Sequence, residues 1–280
     1  MLSRFSILLT VLFGVYFAVH TEDCQTPKHY SEIGCQAILQ EGDNCPKRFD
    51  CETILRRTDK ECFYQGLLYN EGDNISENIT KGACQAACFC RDGTITCANI
   101  ECPELFGTYK KGCIPQNNID DCCASDYICA EEDINKLPLC YMNDREYRLG
   151  EKIHISGSCY ICICANGFDN TTKIEENPHC QLINCGLELH SSGNLKAGCT
   201  PIYYKKATCC PIGWRCPNDS DKVIEAEGRT TDGDPNMECT FGNLKLKVGN
   251  QLSTEEGSPV ICECSIPPMV TCIQNPDELQ

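Results

Sequence analysis

The chain has 280 residues, of which 28 are cysteine and only 8% aromatic, and its formal net charge is −16. One cysteine in ten residues marks a disulfide scaffold and argues against a large hydrophobic core. The acidic balance excludes DNA, RNA and heparin as partners, because polyanions are held by basic patches and the isolated pairs Lys110-Lys111 and Lys205-Lys206 make none.

The first element is a secretory signal peptide over residues 1–21. Arg4 supplies a positive n-region and Ile7 to Val19 form an apolar run too short to span a bilayer. Cleavage falls between Ala18 and Glu22, and removal of Arg4 leaves the mature chain one unit more negative. No second apolar run follows, so no membrane insertion is expected. A secreted, extracellular location makes the cysteines disulfides rather than thiols or zinc ligands. Four glycosylation acceptors fit that compartment: Asn74, Asn78, Asn170 and Asn218, each followed by Ser or Thr two positions on.

Residues 22–51 carry Cys24, Cys35, Cys45 and Cys51. A polar joint then includes the dibasic pair Arg56-Arg57, read as two solvated arginines, with a processing site as the alternative. The first full unit, 62–129, spaces its cysteines C-x21-C-x3-C-x-C-x6-C-x4-C-x10-C-x8-CC-x5-C. After a short acidic joint the second unit, 140–216, reads C-x18-C-x2-C-x-C-x15-C-x4-C-x13-C-x9-CC-x5-C. The two align cysteine for cysteine, and Tyr69-x2-Gly72-Asp73 repeats as Tyr147-x2-Gly150-Glu151. Only loop lengths differ; the largest insertion, between Cys164 and Cys180, carries the Asn170 acceptor and belongs at the surface. Residues 217–238 read as an exposed acidic linker. The last unit, 239–280, holds Cys239, Cys262, Cys264 and Cys272, with Lys247-Val248-Gly249 at the Tyr-x-x-Gly position. Helical periodicity is weak throughout, and short alternating runs such as 93–97 and 269–272 read as strands joined by turns.

This ten-cysteine order, with C-x2-3-C-x-C early and C-x8-9-CC-x5-C late, resembles the von Willebrand factor type C (VWC) domain over 62–129 and 140–216. The fold class implied is small, disulfide-rich, mainly β and irregular, in tandem modules with little hydrophobic core. Each full module has an N-terminal β subdomain with cysteines one to five and a less regular C-terminal subdomain with six to ten. The family pairing (one-four, two-eight, three-five, six-nine, seven-ten) implies Cys62–Cys90, Cys84–Cys122, Cys88–Cys97, Cys102–Cys123 and Cys113–Cys129. In the second module it implies Cys140–Cys164, Cys159–Cys209, Cys162–Cys180, Cys185–Cys210 and Cys199–Cys216. Spacing by itself leaves about 945 pairings open; geometry adds that the adjacent Cys122 and Cys123 pair elsewhere than with each other. The first segment matches a C-terminal subdomain alone and the last an N-terminal subdomain alone, each lacking its own cysteine of the two-eight bridge. The same scheme then implies Cys24–Cys45, Cys35–Cys51, Cys239–Cys264 and Cys262–Cys272. The array is half, whole, whole, half, its ends being truncated caps; docking of one molecule's last half on the next molecule's first half is the alternative.

No enzyme is expected. His29, His154, His179 and His190 are scattered, and no nucleophile stands beside a base. Cys159-Tyr-Ile-Cys162 has redox spacing but lies inside the cysteine pattern. No metal or other cofactor is expected: Asp120-Asp121 and Glu131-Glu132-Asp133 lack a calcium loop's alternating oxygens and fixed glycine. The resemblance implies an extracellular binding protein whose ligand is a growth factor of the TGF-β/BMP type or a matrix component, and whose availability it modulates. On that analogy Phe89, Ile95, Ile161 and Ile163 are the candidate ligand contacts. The alternative is a secreted defence or stress-response protein or a protease inhibitor, although no inhibitor loop is recognisable.

Overall fold

The computed structural model describes residues 24, 26–40, 42–51, 57–106, 111–207, 209–226, 235–253 and 258–275. The signal peptide at 1–21 and Arg56 lie outside the described residues. All 28 cysteines are bridged, with no free thiol. Among the described residues, no helix is long and apolar enough to cross a membrane.

One local device occurs three times. A hairpin opens each unit: Cys62–Tyr64 with Leu67–Tyr69, Leu139–Met142 with Arg145–Arg148, and Glu238–Phe241 with Leu244–Lys247. The turns Gln65-Gly66 and Asn143-Asp144 hold both central residues at positive φ, the twist that closes a two-residue hairpin. A glycine follows at φ 85°, 93° or 94° (Gly72, Gly150, Gly249), a backbone shape that a Cβ would strain. Each glycine N–H donates to the carbonyl of the unit's second C-x-C cysteine: Gly72 to Cys90 at 2.9 Å, Gly150 to Cys164 at 2.8 Å, Gly249 to Cys264 at 2.8 Å. The same cysteine N–H returns a bond to the residue after the glycine, Asp73, Glu151 or Asn250, at 2.9 Å each. The bridges Cys62–Cys90, Cys140–Cys164 and Cys239–Cys264 fasten hairpin to strand beside these bonds.

A second strand pair carries the next bridge. Tyr160–Ile163 pairs with Cys180–Leu182, and Val260–Glu263 with Thr271–Gln274; Cys162 faces Cys180 and Cys262 faces Cys272, and each facing pair is bonded. In the first module Gln85–Arg91 pairs with Thr94–Asn99 through a bulge between Ala86 and Phe89, and Cys88–Cys97 closes it. The less regular parts each contain one short antiparallel pair: Gln36–Ile38 with Arg48–Asp50, Ile114–Gln116 with Asp126–Ile128, and Thr200–Tyr204 with Gly213–Arg215. Cys24–Cys45 and Cys35–Cys51 hold the first; Cys102–Cys123 and Cys113–Cys129 the second; Cys185–Cys210 and Cys199–Cys216 the third. Cys84–Cys122 and Cys159–Cys209 tie the two parts of each full module. The architecture is small, disulfide-rich and mainly β, with modest apolar clusters against the bridges.

Four α-helices appear among the described residues: α1 (Lys28–Glu32), α2 (Glu77–Thr80), α3 (Glu131–Ile134) and α4 (Leu187–Lys196). The ten-residue α4 departs from the reading of weak helical character, and its surroundings explain why. Leu187 and Leu195 pack with Tyr30, Ile33 and Phe49 of the first segment, whereas Leu189 packs with Tyr64, Ile75 and Ile95 of the first module. A helix covered from two sides shows no single apolar stripe, and Ser191 at φ −138° kinks it as well. The Ser192 hydroxyl accepts from the Ile95 N–H at 3.0 Å, and Asn184, just before the helix, donates to the Tyr64 hydroxyl at 2.9 Å.

The units are thus not beads on a string, and three expectations change. Arg57 is no solvated arginine: its side chain is 5% exposed, ion-paired with the buried Glu188 of α4 and stacked 5.1 Å from the Phe63 ring centre. The described first part of the acidic linker, 217–226, is tied to its neighbours, while 227–234 lie outside the described residues. There Val223–Ile224 pairs with Gln251–Leu252, and Asp221 binds Arg215 at 2.6 Å. The end halves meet inside one chain, through hydrogen bonds from Tyr30 and Phe49 to residues 266–269. The second module also joins the last unit, since Ile202–Tyr204 runs parallel to Cys272–Gln274. The resulting six-stranded sheet has the order Gly213–Arg215, Thr200–Tyr204, Thr271–Gln274, Val260–Glu263, Gln251–Leu252, Val223–Ile224.

Candidate binding face

The C-x-C steps define an inner and an outer face. Their cysteines point at the bridged core, so the residue between them and the residue before them lie on the outer face. This parity sorts the four contacts read from the sequence. Phe89, between Cys88 and Cys90, is half-buried on the outer face. Ile95 sits directly opposite Cys90 in the hairpin and therefore shares the inner face; at 6% exposure it is a core residue rather than a ligand contact. Ile161 and Ile163 occupy the outer face of the second module, opposite His154 and Lys152. Ile163 is nevertheless 6% exposed, which removes it as a free contact.

Ile163 lines the cleft where this face meets the chain's own first module. The Lys152 ammonium donates to the Cys122 carbonyl at 3.0 Å, and the Gln181 amide donates to the Ile119 carbonyl. Between the modules a cleft of about 540 Å³ remains, lined by Asn78, Asp121, Lys152, Ile161, Leu182 and Asn184 among others. The Asp121 carboxyl is held below its usual range by hydrogen bonds from Lys81, at 2.9 Å, and from Asn118. Phe89 is backed by an isolated bridge to Asn74, a glycosylation acceptor. Asn74, Asn78, Asn170 and Asn218 are all exposed.

The corresponding face of the last unit is open. Ile261 and Glu263 stand on one strand and Thr271 and Ile273 on its neighbour, lining a recess of about 390 Å³ bordered by Lys205 and Ser265. Ile261 precedes Cys262 as Ile161 precedes Cys162, so the pattern held the signal for it; Ile273 was not reachable that way. Glu263 occupies the place of Phe89 and Ile163, which makes this face charged where the others are apolar. The Thr271 hydroxyl is buried and has no hydrogen-bond partner among the described residues. Such a group costs about 1–3 kcal/mol until a partner is supplied.

The sulfurs of Cys102, Cys122 and Cys123, and those of Cys159, Cys209 and Cys210, lie close enough for metal ligation. Each is committed to a disulfide and has no thiolate to offer. Cys159 and Cys162 are bonded to Cys209 and Cys180 rather than to each other.

Compared with known proteins, the chain is similar to the protein kinase C-binding protein NELL2 of Xenopus tropicalis, 22% identical over 173 residues. The match covers 59% of this chain and 19% of that protein, so the chain aligns with about a fifth of its relative. No family model matches, and no solved structure matches.

Proposed function

We propose that this chain is a secreted, non-catalytic extracellular binding protein built of VWC-type modules. It captures a protein ligand, a growth factor of the TGF-β/BMP type or a matrix component, and so modulates that ligand's availability. The observation that carries this reading is the outer strand face of the last unit, with Ile261 and Ile273 in an open recess beside Glu263 and Lys205. Apolar anchors ringed by charge are the usual core and rim of a protein interface. Full disulfide bonding favours an oxidising compartment. The name of the distant relative records a protein partner for that molecule, which agrees with protein binding as the class of activity.

The test is surface-immobilised full-length protein exposed to a panel of growth factors and matrix proteins. A ligand should bind, and I261K/I273E should weaken it by about tenfold or more, the loss of roughly one anchor contact. Binding that survives the double variant moves the site elsewhere. A panel with no ligand at all removes the function.

A further inference from the structure

The cleft between the two full modules is walled on one side by α2 and residues 119–122 and on the other by the outer face of the second module. We propose that its occupant is the chain's own N-glycan, carried on Asn78. Asn78 is exposed and lines the cleft. Asn78-Ile79-Thr80 is an acceptor sequence. The remaining walls suit a sugar: Leu182, a large apolar side chain left 43% exposed, and Ile161 meet C–H faces, while Asn184, Lys152 and Asp121 meet hydroxyls. A volume of about 540 Å³ is in the range of small-ligand sites and admits the first sugars of a chain. Covalent attachment also raises the effective concentration of those sugars, so weak contacts suffice to hold them.

The acceptor's own threonine fixes the timing. Thr80 is fully buried and its hydroxyl donates to the Gln85 carbonyl at 3.0 Å, so transfer must precede closure of this segment. The co-reactant is a lipid-linked oligosaccharyl diphosphate. The Asn78 Nδ2 attacks the anomeric carbon, one N–H proton is lost, and the lipid diphosphate leaves with the electron pair of the broken C–O bond. The sugars are then in place when the two modules come together over them.

The test uses the full chain secreted from a glycosylating eukaryotic host. Glycopeptide mass spectrometry establishes occupancy, and timed peptide-N-glycosidase treatment of the native protein compares sites. The Asn78 glycan should be released about tenfold more slowly than the one on Asn170 in the exposed insertion, because cleavage follows the fraction of time that the sugars are out of the cleft. In N78Q, but not N170Q, amides of the strand Cys180–Leu182 should exchange faster. An unoccupied Asn78, or release at the Asn170 rate, overturns the proposal, and this readout needs no variant to fold. Either result is independent of whether a growth factor or matrix ligand is found.

Discussion

Tyr30 donates its hydroxyl proton to the Ile266 carbonyl at 2.5 Å, across 236 residues of sequence. The same oxygen accepts from the Met269 N–H at 2.9 Å. The ring is fully buried and stacks on Phe49 at 4.2 Å between centres, 10° from parallel, and Phe49 N–H reaches the Pro267 carbonyl at 2.8 Å. Two half-modules from opposite ends of the chain are thereby joined without a covalent link, since Cys24–Cys45 and Cys35–Cys51 close within the first of them.

Y30F should therefore cost about 1–3 kcal/mol, because it leaves the Met269 N–H and the Ile266 carbonyl unpaired in a buried place. Y30A adds a cavity and should cost about 3–5 kcal/mol. Hydrogen exchange is the discriminating measurement. Both variants should raise exchange at 26–51 and 266–269 and leave the hairpins of the full modules protected. Uniform exchange throughout the chain would show that the ends are not a separate docking unit.

Acid should loosen the same contact. His29 is fully buried, with Nδ1 2.9 Å from the Tyr203 hydroxyl, against the Tyr30 ring and beside the Lys28–Glu32 ion pair of its own helix. Burial lowers its pKa from 6.5 to about 3. The folded value lies below the unfolded one, so protons favour the unfolded or undocked state. The stability is fully present above about pH 6.5 and is lost as pH falls toward 3; at pH 5 the loss is about 2 kcal/mol. Thermal melts from pH 7 to 5 should fall for the natural chain and flatten for H29Q. An equal slope in H29Q would assign the acid sensitivity to other groups.

Local structure was more legible than assembly. The Tyr-x-x-Gly element could be read because one glycine N–H and one cysteine carbonyl meet within a single unit, and cysteine spacing keeps that register through insertions. The mainly β class was legible for the same reason. α4 was not legible, because its buried residues answer to two different neighbours. Arg57 looked like half of a dibasic surface pair, since nothing local announces Glu188, 131 residues away. At the candidate face, the four contacts came from family analogy alone; strand parity about Cys88, Cys90, Cys162 and Cys164 puts Phe89 and Ile161 on the outer side. It does not place Ile95, whose side depends on hairpin register, or reveal the burial of Ile163 where that face meets the first module.

The Arg57–Glu188 pair yields a sharp mutational contrast. Burial pushes the Glu188 carboxyl up, and Arg57 opposes that shift. Both side chains are almost fully covered, at 5% and 1% exposure. Removing one partner strands a charge, so R57A or E188A should each cost about 3–5 kcal/mol. The double variant R57M/E188L should recover most of that loss, because two apolar groups leave nothing unpaired. Denaturant unfolding of all three variants checks it, and a double variant as unstable as the singles would refute the assignment. Arg57 should also resist trypsin in the native protein, which peptide mapping reads directly.

Bridge removal should separate the two kinds of disulfide. Cys84–Cys122 spans 38 residues between the two parts of the first module, whereas Cys62–Cys90 sits at 1% and 0% exposure in that module's core. C84S/C122S should lower stability by about 2–4 kcal/mol through loop entropy while both parts keep their exchange protection. The end segments keep comparable strand pairs with only their own internal bridges. C62S/C90S should cost more and unprotect the Gln85–Arg91 and Thr94–Asn99 hairpin, because the bridge also fills the core there. A non-reducing digest should yield no peptide joining 24–51 to 239–272. Specific cleavage within 52–56 should then let strong denaturant, without reductant, free the first half from the rest. A first half that stays attached under those conditions would mean a covalent link between the ends, and the docking argument built on Tyr30 would fall with it.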